Sequence, residues 1–108
     1  MPQADLKYSS DMDIDAEGLL AEIEAVIGDF DSGAGKCKGR AYPAASYQHS
    51  HVFLTVQVLE KPHRDDVFMQ TLLEKLTNTV DKHIKQACSR SVSVDFLPKY
   101  YATGEVPG

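Results

Sequence analysis

The 108-residue sequence predicts an α/β (α+β) domain of element order β-α-β-β-α-β: a four-stranded mixed sheet with two helices on one face. Three observations carry this reading. Two long apolar stripes recur at helical spacing, four shorter segments alternate or run apolar as strands do, and Gly, Pro and capping residues fall between them. With 43% apolar residues in a length typical of one domain, residues 1–108 read as a single core. A domain this small buries only about two thirds of the surface its unfolded chain exposes, so association with further copies would add usefully to its stability.

The first strand comes from Gln3 to Tyr8, where Ala4, Leu6 and Tyr8 alternate with Gln3, Asp5 and Lys7. Asp15 then has the place of an N-cap, with Ile14 and Leu19 set as a hydrophobic staple around it. Leu19, Leu20, Ile23, Val26, Ile27 and Phe30 follow at helical spacing. The run Asp31-Ser32-Gly33-Ala34-Gly35 stops the helix, because glycine tolerates the left-handed conformations that end one.

Cys37 to Tyr42 reads as the second strand, with Lys38, Arg40 and Tyr42 on one face and Cys37, Gly39 and Ala41 on the other. Pro43 limits that strand or places it at a sheet edge. A loop to His49 leads into His51–Leu59, apolar on both faces and therefore expected to be central. Pro62 ends it, Asp65 caps the second helix, and Met69, Leu72, Leu73, Leu76, Val80, Ile84 and Ala87 form its apolar stripe. Val92, Val94 and Phe96 alternate with Ser91, Ser93 and Asp95 in the last strand, which Pro98 closes. Each β-α-β half has a helix long enough to cross between parallel strands.

The formal net charge of −5 argues against general nucleic-acid binding, which needs a basic face to neutralise phosphates. No apolar run approaches the roughly 20 residues that span a bilayer, so no membrane segment is expected. Cys37 and Cys88 lie far apart without CxxC spacing, and the N-terminus does not resemble a signal peptide. The expectation is two reduced thiols in a cytoplasmic protein.

Met1-Pro2 at the start, a short strand and helix, Lys38-Gly39-Arg40-Ala41-Tyr42, His51-Val52-Phe53-Leu54-Thr55-Val56, and Arg64 before the second helix occur together in this order. In their joint placement the chain resembles the 5-carboxymethyl-2-hydroxymuconate isomerases of the tautomerase superfamily, over nearly its whole length. The resemblance implies a homotrimer with active sites near subunit boundaries and no cofactor. It also implies an activity in aromatic compound catabolism: the N-terminal proline, exposed by removal of Met1, shuttles a proton between carbons of a small unsaturated keto or enol carboxylic acid. Pro2 is the position carried over directly. A rigid secondary amine suits general-base work once burial and nearby cations disfavour its ammonium form and bring its pKa toward neutrality.

Lys38 and Arg40 project from one strand face and could hold a substrate carboxylate while neutralising a developing enolate. The related family segment carries two arginines, so Lys38 lacks the planar fork at one of them. Arg64 matches the family's arginine at the end of the third strand, although His63 stands where a glycine usually precedes it. Tyr42 and Tyr47 could polarise a substrate oxygen, although packing is the commoner use of such tyrosines. His49 and His51 invite a metal reading, but no third ligand has a recognisable spacing, so no metal is expected. Cys37 carries no nucleophile signature and reads as a packing residue.

Two functions follow. One is a cofactor-independent isomerase with Pro2 as base and Lys38, Arg40 and Arg64 as anion-binding groups. The alternative is a non-enzymatic trimeric ligand-binding or scaffold protein that keeps the fold while the proline nitrogen stays acylated.

Overall fold

The computed structural model describes residues 1–108. Its elements are β1 (Gln3–Ser9), α1 (Ala16–Phe30), β2 (Lys38–Ala44), β3 (His51–Val58), α2 (Asp66–His83) and β4 (Ser89–Phe96). The sheet order is β2-β1-β3-β4. Both βαβ halves are parallel, β1 with β2 and β3 with β4, and the halves meet antiparallel where β1 lies beside β3. This is the expected four-stranded mixed sheet, and β3 is central as its two apolar faces implied.

The helices form where stripe and caps coincide. The Asp15 carboxylate accepts from the Gly18 amide at 3.1 Å and Asp65 accepts from the Phe68 amide at 2.9 Å, each satisfying a donor that a helix start leaves free. α1 buries Leu19, Ile23 and Ile27, spaced by four; α2 buries Leu72, Leu76, Thr79 and Val80. These pack on Ala4, Leu6, Val52, Leu54, Val56 and Val58, so a single cluster of 14 buried residues joins one sheet face to both helices. Each buried Leu or Ile contributes about 1.5–3 kcal/mol relative to exposure. Gly39 lets β2 approach α1, because a Cβ there would come within 3.0 Å of Leu20 Cδ2.

Several boundaries differ from the pattern: β1 runs on to Ser9, β2 starts at Lys38 and β3 ends at Val58. β2 runs through Pro43 to Ala44, since at a sheet edge the missing N–H faces away from β1. α2 ends at His83, so Ile84 is its C-cap and Ala87 lies beyond it, exposed in the connection to β4. β4 begins two residues before Ser91, at Ser89. Because β2 and β4 are opposite edges of the sheet, Cys37 and Cys88 lie on opposite sides of the molecule, and both are free thiols. No helix is long and apolar enough to cross a membrane.

The second sheet face carries no helix. Lys38, Arg40 and Tyr42 of β2 share it with Gln3, Asp5 and Lys7 of β1, Phe53, Thr55 and Gln57 of β3, and Ser91, Ser93 and Asp95 of β4. None of these residues is fully buried within the chain.

Candidate active site

One end of the sheet gathers the start of β1, the start of β2 and the ends of β3 and β4, because β1 and β2 run together while β3 runs against them. Pro2 lies there, buried, immediately before β1. Strand alternation puts it on the side of Ala4 and Leu6, facing the helices. Its carbonyl accepts from the Lys38 amide at 2.9 Å, which extends the β1–β2 ladder by one bond and fixes the ring against the sheet. Cys37, next to Lys38, packs against the core; burial and then the Glu24 carboxylate push its thiol up to about 11, so it stays protonated and inert near neutral pH.

The three expected cations have different fates. Lys38 is exposed and forms no ion pair within the chain. Arg40, on the bare face, donates from Nε to Asp5 at 2.6 Å and from Nη1 and Nη2 to Gln3 Oε1 at 3.0 and 2.9 Å. Arg64 is buried, and its side chain is committed: Nε and Nη2 donate to Asp31 Oδ2 at 2.9 and 2.6 Å, and Nη1 to the Leu59 carbonyl at 2.6 Å. The expectation of Arg64 as a free anion-binding group is therefore corrected within this chain: the C-cap of α1 already supplies its carboxylate. Burial raises the Asp31 pKa, but the Arg64 hydrogen bonds and then those of His63 outweigh it and hold the carboxyl below its usual range.

The tyrosines expected near the proline lie elsewhere. Tyr42 pairs with Lys7 toward the middle of the sheet, with the Lys7 ammonium 6.0 Å from its ring centre. Tyr47 belongs to the β2–β3 loop at the opposite end, where burial and then Asp11 raise its pKa. His49 has a left-handed backbone (φ 62°), and its carbonyl lies 2.8 Å from His51 Nδ1, which engages that ring nitrogen. No three His, Cys, Asp or Glu side chains gather in metal-binding geometry.

Residues that the sequence pattern passed over stand closer to Pro2. Tyr101, in the segment after β4, accepts from Gln3 Nε2 at 3.0 Å, and its hydroxyl lies 3.5 Å from the Met1 carbonyl oxygen, the group bonded to the Pro2 nitrogen. No periodicity marks this segment, so its composition does not reveal a role. Neither of the two main surface pockets is lined by Pro2 or the expected cations: one lies between α1 and α2 around Phe30 and Lys75, the other around Asp81 and Arg90.

No family model and no curated protein sequence matches the chain. Solved structures do. A 5-carboxymethyl-2-hydroxymuconate isomerase from Deinococcus radiodurans R1 superposes with a TM-score of 0.76 at 15% identity, covering 96% of this chain and 88% of that one. A 5-carboxymethyl-2-hydroxymuconate delta-isomerase gives 0.73 at 14% identity, over 98% and 89%. A fused 4-OT solved as a symmetric trimer gives 0.62 at 13%, over 94% and 93%.

The chain has the tautomerase fold. At these identities the likeness is one of fold, and the side chains must speak for the chemistry. In this tautomerase fold one sheet end brings together a buried proline ring, an unpaired lysine and a phenol whose oxygen is already held from one side. By residue type, a free proline nitrogen can take a proton, a lysine can contact an anion and a phenol can donate a hydrogen bond.

Proposed function

We propose that this protein is a cofactor-independent isomerase that shifts a proton within a small unsaturated keto or enol carboxylic acid. Pro2, as the N-terminal residue after loss of Met1, is the base. The observation that carries the reading is the buried Pro2 ring at the head of β1, pinned by its own carbonyl beside the unpaired Lys38. Burial disfavours an ammonium at that nitrogen and leaves a neutral fraction able to take a proton next to a carbonyl. Lys38 contacts the substrate carboxylate, and Arg40 adds positive charge beside it while remaining paired with Asp5. The solved isomerases of the same fold make this chemistry the first to test.

The working unit in this proposal is a homotrimer. The small core of a domain this size and the symmetric trimer among the structural neighbours support it. Sedimentation equilibrium at micromolar concentration should give three times 11.9 kDa, and a stable monomer or dimer would count against it.

The alternative, a non-enzymatic trimeric binding or scaffold protein, draws on one observation: two of the three expected cations are consumed by Asp31 and Asp5. One experiment separates the two readings. Met1-free and Met1-retaining protein are compared for ketonisation of phenylenolpyruvate, followed by the loss of enol absorbance. Acylation removes the basic lone pair and leaves the ring in place, so activity in the first form and essentially none in the second is expected. Equal rates would rule out Pro2 as the base.

A further inference from the structure

The Arg40 guanidinium, the Gln3 amide and the Tyr101 phenol form one hydrogen-bonded line ending at the carbonyl attached to the Pro2 nitrogen. Its direction is fixed by chemistry. Arg40 has only donors, so the Gln3 atom it meets with Nη1 and Nη2 must be the oxygen Oε1. The Gln3 amide nitrogen is thereby turned to Tyr101, 3.0 Å away, and being a donor it occupies a lone pair of the phenol oxygen. The phenol proton is left to point away from Gln3, and the polar atom on that side is the Met1 oxygen at 3.5 Å. Asp5, 2.6 Å from Arg40 Nε, holds the far end of the line.

We infer that Tyr101 is the hydrogen-bond donor of the proline site, aimed by Gln3 and Arg40 at the substrate oxygen that becomes an enolate. This rests on Pro2 acting as the base. Loss of Met1 removes the carbonyl beside Tyr101 and leaves the phenol proton without that acceptor, two bonds from where the amine remains. When Pro2 breaks a C–H bond next to the substrate carbonyl, its nitrogen gains the proton and the released electron pair forms the C=C bond. The carbonyl oxygen takes the negative charge. Tyr101 keeps its own proton and donates a hydrogen bond to that oxygen, strongest when the charge is greatest. The ammonium then returns its proton to the other carbon and the C=O bond reforms. Gln3 and Arg40 never touch the reacting atoms; they are positioning residues. Arg40 thus has a role different from gripping the carboxylate.

The test uses full-length, Met1-free protein. Tyr101→Phe keeps the ring and removes the donor. It is expected to lower kcat by about 100-fold with KM changed by no more than about twofold, the signature of a contact made in the transition state. The acid-side pKa of the rate profile should stay where it is, because the base is unchanged. Gln3→Met, which keeps the length and removes the amide, should lose about 10-fold in kcat by freeing the phenol to rotate.

A second readout does not need turnover. Carbonyl-labelled 3,3-dimethyl-2-oxobutanoate has no hydrogen on the carbon next to its ketone, so it binds without reacting, and a hydrogen bond from Tyr101 lowers its C=O stretching frequency. That shift should be present in the wild type and lost in Tyr101→Phe. Unchanged kcat together with an unchanged stretch would overturn the donor role. A wild type without isomerase activity whose stretch still relaxes in Tyr101→Phe would retire the isomerase reading and keep the donor. No activity and no difference in stretch would remove both.

Discussion

Of the three arginine–aspartate contacts in this chain, all 2.6 Å long, Arg64–Asp31 and Arg40–Asp5 have opposite settings. Arg64 and Asp31 are 3% and 9% exposed, whereas Arg40 and Asp5 are 40% and 30% exposed. The first pair joins the end of α1 to the loop before α2 and has no contact with water to fall back on. The second lies across two neighbouring strands of the bare face, where solvent screens it. Distance alone therefore does not say what an ion pair does. Arg64 is a structural clasp, buried with Nε, Nη1 and Nη2 each donating to Asp31 or Leu59; Arg40 contributes little to holding the fold together and is available to orient Gln3.

The comparison breaks most visibly at Asp31. Asp31→Ala leaves the Arg64 guanidinium buried without its counter-charge, and removal of one partner from such a pair costs about 3–5 kcal/mol. For a domain whose whole stability is about 5–15 kcal/mol, that is a large fraction. Urea unfolding should show it as a lowered midpoint with an unchanged slope. Acid should reproduce the effect in the wild type. The folded-state pKa of Asp31 is depressed, so the clasp contributes its full stability above the ordinary carboxylate range and loses it as pH falls through the folded value. Asp11 and Glu22 are also depressed, by Ser50 and by Lys82 respectively, and act with the same sign. Asp31→Asn should therefore flatten part of the acid limb below the ordinary carboxylate range rather than all of it. An identical acid limb in that variant would mean the clasp does not depend on charge.

The sequence carried the fold further than it carried the site, and the reason is periodicity. Leu19, Ile23 and Ile27, or Val52, Leu54, Val56 and Val58, repeat because a buried helix stripe or strand face must, and a repeat is visible in one chain. Ala87 misled because an apolar residue at the right spacing need not lie inside the helix. A site has no such repetition. Lys38, Arg40 and Arg64 looked alike as cations, and nothing local said that Asp31, 33 positions before Arg64, would occupy one of them. Tyr101 and Gln3, 98 residues apart, meet only because β1 is central and the chain after β4 returns to the head of β1. Pro2 was legible through its position beside Met1 and the family resemblance; its burial came from the fold.

The smallest expected effect sharpens the comparison most, because it separates stability from geometry in one variant. Asp5→Asn keeps the size of the side chain and its oxygen, and it removes the charge opposite an arginine that is 40% exposed. Pairs this open contribute about 0.2–1 kcal/mol, since water replaces much of what the carboxylate gave and two long side chains regain freedom. The urea midpoint should therefore move by no more than about a third of what Asp31→Ala produces. Salt should discriminate them too: at high ionic strength the Asp5 effect shrinks further, while the buried Asp31 effect persists. If Asp5→Asn costs as much as Asp31→Ala, the bare face is not open to solvent in solution. The Arg40–Asp5 pair would then be desolvated there, as contact with further copies across that face would make it.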